Sequence, residues 1–280
     1  MVPRTVLITG CSSGIGRATA LAFARAGFKV FATARNQKSI EDMAEGIFRE
    51  KIVVGELDVT RPEACEEVVK KIALEGGLGV LVNNAGHGLM GPMEELSEDD
   101  LRHQFEVNYF GVMRLCRLAL PHMRDQGGGT IVNIGSIVGR FTFPVGGAYC
   151  SSKHAIEALC DAMRIEVAPF GVRVVLVEPG PIETRFKTNS GAHSAKALAH
   201  TPDSPYRTMK EHAMRVIEGN RGWPGASPDR VASVIVKACL SRSPRARYVV
   251  TARGHMMIAL RRLLPDSAWD FLIGKALQVR

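Results

Sequence analysis

The fold of this chain is decided by the stretch Val6-Leu7-Ile8-Thr9-Gly10-Cys11-Ser12-Ser13-Gly14-Ile15-Gly16. The apolar run at its start is typical of a buried strand, and Arg17–Ala26 has the spacing of an amphipathic helix. A glycine turn between a strand and a helix is the context of a dinucleotide-binding fingerprint, because glycine lets the backbone approach a pyrophosphate and the helix amides meet its charge. The spacing is Gly-x-x-x-Gly-x-Gly, and the alternative is an ordinary glycine-rich turn.

The second predicted strand, Lys29–Ala34, ends at Arg35. An acidic residue at this place would bind the ribose hydroxyls of NAD, whereas an Arg accommodates the 2′-phosphate of NADP. The charge therefore favours NADP(H) over NAD(H), with a solvated Arg at a strand end as the alternative. We expect the hydroxyl of Ser12 or Ser13 to add a contact to the phosphate.

Three residues further along have the spacing of a catalytic group: Ser136, Tyr149 and Lys153. In a helix, positions i and i+4 share a face, so the Lys153 ammonium would lie beside the Tyr149 phenol. A phenol titrates near pH ~10 and exchanges a proton poorly at neutral pH unless its anion is stabilised. We expect Lys153 to lower the pKa of Tyr149, and Ser136 to hold a carbonyl oxygen beside the phenol.

Together these residues resemble the short-chain dehydrogenase/reductase family over about residues 4–190. The resemblance implies an α/β, Rossmann-like, doubly wound parallel sheet flanked by helices in a single domain, with hydride transfer between NADP(H) and a C–O group. It implies that Asn108, Ser136, Tyr149 and Lys153 are catalytic and that Asn108 holds a water. The implied cofactor residues are Gly10, Ser12, Ser13, Gly14, Ile15, Gly16, Arg35, Asp58, Val59, Asn84, Ala85, Gly86, Tyr149, Lys153, Pro179, Gly180, Ile182 and Thr184.

Within the family, the segments Cys11–Ser13, Ala32–Arg35, Gly86–Met93 and Pro169–Val172 look most like the 17β-hydroxysteroid and retinol dehydrogenase group. That likeness implies an apolar ketone, aldehyde or alcohol as substrate. The expected substrate contacts are Ser136, Tyr149, His87, Leu89, Met90, Phe141, Phe143, Val145 and Pro181. Two alternatives are a redox-sensing regulator that binds NADP(H) without turnover, and an enzyme of another reaction such as an epimerase.

Strands and helices alternate along the rest of the chain, which is typical of a parallel sheet covered by helices. Thr60-Arg-Pro-Glu63 and Ser97-Glu-Asp-Asp100 have the form of helix-capping boxes. Strands are predicted near 5–10, 28–34, 52–57, 79–83, 129–135, 172–178 and 246–251, and helices near 14–26, 37–48, 61–74, 97–123, 147–168 and 227–240.

Composition limits the class of protein. The 280 residues suit one α/β domain, and no long apolar run or signal sequence is evident. The cysteines have neither metal-ligand nor Cys-x-x-Cys spacing, which favours buried thiols in a reduced cytoplasmic protein. We expect no bound metal and no nucleic-acid partner, because no basic and aromatic recognition pattern appears. By resemblance, the chain is expected to form a homodimer or homotetramer through the helices near 97–123 and 147–168.

The last third of the chain carries the excess of positive charge. Residues 191–280 hold 15 Lys/Arg against 6 Asp/Glu, whereas residues 1–190 hold 21 against 22. Segment 252–280 mixes large apolar and basic residues, and such a helix either packs on the domain or a second subunit, or lies on a membrane surface. The turn-rich segment 187–226 is predicted to be a lid over the substrate, with a surface insertion as the alternative.

Overall fold

The computed structural model describes residues 2–184, 186, 190, 194–195, 197–199, 203–217 and 225–276. Within them the seven strands form one sheet in the order β3-β2-β1-β4-β5-β6-β7, and every neighbouring pair is parallel. The strands are β1 Thr5–Ile8, β2 Lys29–Ala34, β3 Ile52–Glu56, β4 Val80–Asn83, β5 Gly129–Ile134, β6 Val172–Glu178 and β7 Arg247–Val249. The predicted doubly wound α/β fold is confirmed.

Helices cover both faces of this sheet. They are α1 Gly14–Arg25, α2 Pro62–Leu74, α3 Glu98–Phe105, α4 Gly111–Asp125, α5 Gly147–Glu166, α6 Arg207–Ile217, α7 Pro228–Leu240, α8 Ala252–Leu263 and α9 Asp266–Ala276. One core cluster joins α1 and α7 to the sheet, and a second joins α2, α4 and α5 to the opposite face. Burial on both faces explains why the strands are continuous apolar runs without polar alternation.

The strand order reverses at β1. The chain runs outward from β1 to β2 and β3, and then returns to place β4 on the other side of β1. At such a reversal the loops after the two neighbouring strands diverge and leave a crevice at their carboxyl ends, where α/β proteins bind ligands. The glycine turn after β1 and the Asn83-Asn84-Ala85-Gly86 stretch at the end of β4 both lie at this edge.

The helix predicted near 97–123 is present as an unbroken helical run in which α3 and α4 are joined by a π turn at Glu106–Phe110. Two other local predictions were wrong. The helix predicted near 37–48 is a 3₁₀ helix over Gln37–Ala44 followed by a short second one. Thr60 does not cap α2, because its hydroxyl donates instead to Asp58 and α2 begins at Pro62.

The cap predicted at Ser97 is present, since the Ser97 side chain accepts from the Asp100 amide at 3.1 Å. All six cysteines are buried and free, as the sequence indicates. In the part of the chain that the structure describes, no helix has both the length and the apolarity needed to cross a bilayer.

Candidate active site

The glycine turn between β1 and α1 has room for no other residue at its key positions. Gly10 and Gly14 adopt the left-handed backbone, with φ of 74° and 58°, which side chains disfavour. A Cβ on Gly14 would lie 2.8 Å from Thr184, and one on Gly16 would lie 2.3 Å from the Gly10 carbonyl oxygen. The turn is therefore shaped for close approach of backbone, the property that a pyrophosphate site requires.

Hydrogen bonds fix this turn to the end of β4. The Thr9 hydroxyl accepts from the amides of Asn84 and Ala85 at 3.0 and 2.9 Å. In return, the Asn84 side chain donates to the carbonyls of Thr9 and Gly10 at 2.9 and 3.0 Å. Thr9 thus positions the glycine turn against the end of β4. Its role was not predicted, although it belongs to the glycine motif.

A cavity of about 500 Å³ begins at the turn and runs along the carboxyl edge of the sheet. Gly16 is the one predicted cofactor residue that does not line it, because Gly16 packs behind the turn against Gly10 and Asn84. The lining includes Gly10, Ser12, Ser13, Gly14, Ile15, Arg35, Asp58, Val59, Asn84, Ala85, Gly86, Tyr149, Lys153, Pro179, Gly180, Ile182 and Thr184.

Arg35 and Asp58 lie at the same end of the cavity. Arg35 is exposed and follows directly after β2. Burial raises the pKa of Asp58, but hydrogen bonds from the Thr60 amide and hydroxyl, with the charges of Arg35 and His103, outweigh it and give a lowered pKa. An ionised carboxylate beside a guanidinium suits recognition of both the hydroxyl and the phosphate groups of a nucleotide.

Ser136, Tyr149 and Lys153 meet in the wall of this cavity. Ser136 follows β5, whereas Tyr149 and Lys153 lie on consecutive turns of α5. The Lys153 ammonium lies 5.8 Å from the centroid of the Tyr149 ring and donates to the Ile134 carbonyl at 2.9 Å. The spacing read from the sequence therefore brings the three side chains to one place.

Burial is the largest influence on the pKa values of Tyr149 and Lys153. It raises the pKa of the Tyr149 phenol, and a hydrogen bond with Ser136 opposes the rise only in part. Burial also lowers the pKa of Lys153 to about 8. The predicted lowering of the Tyr149 pKa is therefore not what the structure gives, and the phenol is held as a protonated donor at neutral pH.

Asn108 lies in the π turn and is buried behind the cavity wall. Its amide nitrogen donates to the His87 carbonyl at 2.9 Å and to the Ser152 hydroxyl at 3.1 Å, and its oxygen accepts from the His87 amide at 3.1 Å. Asn108 thus joins the loop after β4 to α5, and it does not itself line the cavity. A π turn is common at functional sites because it redirects one side chain out of the helical register.

The predicted substrate residues divide into two groups. His87, Met90, Phe143, Val145 and Pro181 line the cavity. Leu89 and Phe141 do not, and both predictions were wrong. Leu89 packs in a separate small core with Leu96 and Ala148, and Phe141 packs edge-on against Trp269 at 5.5 Å between ring centroids.

Several lining residues were not predicted individually. Phe186 contacts the Tyr149 ring at 5.6 Å between centroids, and Met209 and His212 of α6 complete the wall. They belong to or border segment 187–226, where the sequence predicted a lid without naming residues. Of that segment, residues 187–189, 191–193, 196, 200–202 and 218–224 lie outside the described residues, so the lid stays a prediction.

Anchors hold the described part of this segment next to the cavity. The Ser204 hydroxyl donates to Glu95 at 2.5 Å, and Lys210 forms an ion pair with the same carboxylate. The Ser194 hydroxyl accepts from the Met90 amide at 2.7 Å. These contacts place α6 over the loop that follows β4.

Curated relatives are similar to this chain over nearly its whole length. The chain is 35% identical to retinol dehydrogenase 8 of Bos taurus, over 95% of this chain and 87% of the relative. It is 34% identical to NADPH-dependent 3-dehydrocapnine reductase of Ornithobacterium rhinotracheale, over 98% of both. It is 32% identical to human 17-beta-hydroxysteroid dehydrogenase type 1, over 93% of this chain and 81% of the relative.

Solved structures agree with this likeness. A short-chain dehydrogenase from Streptomyces avermitilis superposes with a TM-score of 0.81 at 31% identity, over 97% of this chain and 95% of that one. An alcohol dehydrogenase from Thermococcus sibiricus, complexed with 5-hydroxy-NADP, gives a TM-score of 0.70 at 30% identity, over 88% of this chain and 94% of that one. Residues 4–195 also match the family model for short chain dehydrogenase, and the chain therefore belongs to the short-chain dehydrogenase/reductase family of oxidoreductases.

Proposed function

We propose that this chain is an NADP(H)-dependent oxidoreductase that interconverts an apolar ketone or aldehyde and its alcohol. The observation that carries the proposal is the meeting of Ser136, Tyr149 and Lys153 in the wall of the cavity that begins at the glycine turn. A bound nicotinamide would supply the hydride, and the protein supplies position and charge. A redox sensor without turnover has no chemical need for these three side chains, which disfavours that alternative.

The glycine turn fits a dinucleotide because Gly10 and Gly14 present backbone without a side chain to the cavity, and Gly16 lets α1 pack closely behind the turn. Arg35, at the end of β2, would hold the 2′-phosphate of NADP, and this residue is the main support for NADP(H) over NAD(H). One relative is an NADPH-dependent reductase, which is in line with that preference.

The side chains divide the proton chemistry between them. In the reductive direction, Ser136 and Tyr149 hold the carbonyl oxygen, and Tyr149 donates its proton to the developing alkoxide as general acid. Its raised pKa keeps the proton on the phenol until it is transferred to the developing alkoxide. Lys153 stabilises the phenolate that remains, because a neighbouring ammonium favours the charged form.

An apolar substrate suits the side chains that line the rest of the cavity. Met90, Phe143, Val145, Phe186 and Met209 present hydrocarbon to the cavity. Among the described residues, Val145 is the one non-glycine residue with a left-handed backbone, at φ 70°. Such strain in a β-branched residue is common where a binding wall has to be held in one shape.

The test is NADPH oxidation, with NADH in parallel, over a panel of steroid, retinoid and long-chain ketones and aldehydes. Tyr149→Phe is expected to lower kcat about 10²- to 10⁴-fold, the usual contribution of a general acid, with NADPH affinity unchanged. Tyr248→Phe, which makes the same change on β7 away from the cavity, is the control. Retention of most activity in Tyr149→Phe would contradict the mechanism.

Assembly as a homodimer or homotetramer through the regions of α3–α4 and α5 stays a prediction, which sedimentation of the purified chain would test. Cytoplasmic location and the lack of a nucleic-acid partner also stay predictions from the sequence.

A further inference from the structure

Helices α8 and α9, here called the C-terminal platform, carry apolar side chains on two sides. Some are buried against the rest of the protein, and others are exposed to solvent. On α8, Gly254 and Ile258 are buried, whereas Met256, Leu260 and Leu263 are 54, 36 and 81% exposed. The exposed three are spaced i, i+4 and i+7, so they follow one face of the helix. Because the other face of α8 is already buried, this exposed apolar stripe is free to act as an interaction surface.

The second helix of the platform, α9, also presents apolar side chains to solvent. Trp269 is buried and anchors α9, whereas Phe271 and Leu272 are 56 and 42% exposed. Exposed large apolar residues are ordinary when they occur singly, but a cluster of them marks an interaction site. We define the outer face of Met256, Leu260, Leu263, Phe271 and Leu272 as the C-terminal apolar face.

Basic residues accompany this face. Arg253 and Arg262 are exposed on α8, and Lys275 is exposed on α9. Of the two acidic residues of α9, Asp266 is engaged by Arg261 at 2.5 Å and Asp270 is exposed, so the basic residues outnumber the acidic ones on this platform. Apolar side chains among cations match the boundary of an anionic bilayer, where lysine and arginine meet the headgroups. Pairing of two copies through this face would instead bring like charges together.

The platform is attached firmly to the body of the protein. Ile258 and Trp269 pack with Ile137 and Phe141 in one buried cluster. A Cβ on Gly254 would lie 2.8 Å from Ile137, so α8 begins in close contact with the loop after β5. A rigid mounting keeps the apolar stripe outward and leaves it available to a partner.

From these observations we propose that the C-terminal apolar face binds the surface of an anionic lipid bilayer, with Met256, Leu260, Leu263, Phe271 and Leu272 entering the headgroup boundary. Binding is peripheral and is carried by apolar burial together with the charges of the flanking basic residues. This proposal does not depend on the reaction that the cavity performs.

The test is co-sedimentation of the full chain with vesicles of phosphatidylcholine and phosphatidylglycerol, compared with phosphatidylcholine alone. We expect binding to the anionic vesicles that weakens as salt is added. Leu263→Ser should weaken it about tenfold, and Arg262→Ser about fivefold, the usual effects of one leucine and one basic residue at such a surface. Thermal melts establish that each variant is folded.

Ile47→Ser is the matched control, because Ile47 is 87% exposed and lies on the short 3₁₀ helix Gly46–Phe48, outside the platform. It should bind vesicles as the parent chain does. Failure of the parent chain to bind anionic vesicles would overturn the proposal, and so would binding that Leu263→Ser leaves unchanged. A change of sedimentation mass in Leu263→Ser without any vesicle binding would assign the face to a second copy of the chain instead.

Discussion

Glu178 is the last residue of β6, and its carboxyl group is placed where a charge is hard to maintain. The residue is 1% exposed, and neither carboxyl oxygen has a hydrogen-bond partner among the described residues. The carboxylate of Glu157, on α5, faces it. Arg140 lies 3.8 Å from Glu178 and 3.7 Å from Glu157, and Arg247 binds Glu157 at 2.9 Å.

Burial and the neighbouring Glu157 raise the pKa of Glu178 from its ordinary 4.5 to about 8, and the charges of Arg140 and Arg247 only moderate the rise. The folded chain therefore keeps a proton that the unfolded chain releases. Between about pH 4.5 and about pH 8 the folded state binds more protons, so the free energy of unfolding falls as the pH rises. The contribution is fully present below the lower value and is lost as the pH passes the upper one.

The size of the effect follows from the same values. One proton gives a slope of at most about 1.4 kcal/mol per pH unit. Each pH unit of this slope is a sizeable fraction of the ~5–15 kcal/mol that stabilises a typical domain. Glu178→Gln keeps the shape and removes the titration, so its unfolding free energy should lose this slope.

The assay is urea unfolding of both proteins at several pH values within this window. The difference in slope is the measured quantity, because a buried glutamine carries a pH-independent cost of its own. Glu166→Gln, at an exposed position near the end of α5, is the control and should keep the slope of the parent chain. Equal slopes for the parent chain and Glu178→Gln would refute the reasoning.

Three further changes test separate parts of the structure. Arg35→Asp should move the ratio of kcat/KM for NADPH and NADH at least tenfold toward NADH, because it replaces the phosphate-binding charge with a ribose-binding carboxylate; an unchanged ratio would remove Arg35 from the site. Gly16→Ala places a Cβ 2.3 Å from the Gly10 carbonyl oxygen, so NADPH titration should show at least tenfold weaker binding. Trp269→Ala removes the contact with Phe141 and should cost about 3–5 kcal/mol in urea unfolding; a cost below ~1 kcal/mol would contradict a buried anchor.

The sequence predicted the sheet and the proximity of Tyr149 and Lys153 because their determinants are local. A buried strand must be apolar on both faces, and a Tyr and a Lys four residues apart on one helix must be neighbours. The glycine turn is equally local, since the backbone itself excludes a side chain at Gly14 and Gly16. In these segments, residue type and spacing determine the local geometry directly.

Predictions were wrong where a competing contact, local or tertiary, decides the position of a side chain. Thr60 has the form of a cap, yet Asp58 takes its hydroxyl at 2.8 Å. Leu89 and Phe141 are apolar and lie near the right motifs, but neighbouring cores bury them away from the cavity. Phe186 is beside Tyr149 only because a later segment folds back over the sheet, and no spacing in the sequence reports that contact.

The loop that carries Ser136 shows how the site depends on residues far from the motifs. Its start is tied to the end of β6, where the Pro179 carbonyl accepts from the Ile137 amide at 3.1 Å. Arg140 then faces the Glu178 carboxyl, and Phe141 packs against Trp269.

The family model ends at residue 195, so part of what positions Ser136 lies beyond the region that identifies the family. Because α9 braces the loop through Trp269, the C-terminal platform contributes to the geometry of Ser136 as well as to the outer surface. Substitutions in this last part of the chain are therefore expected to shift Ser136 while every motif residue stays the same.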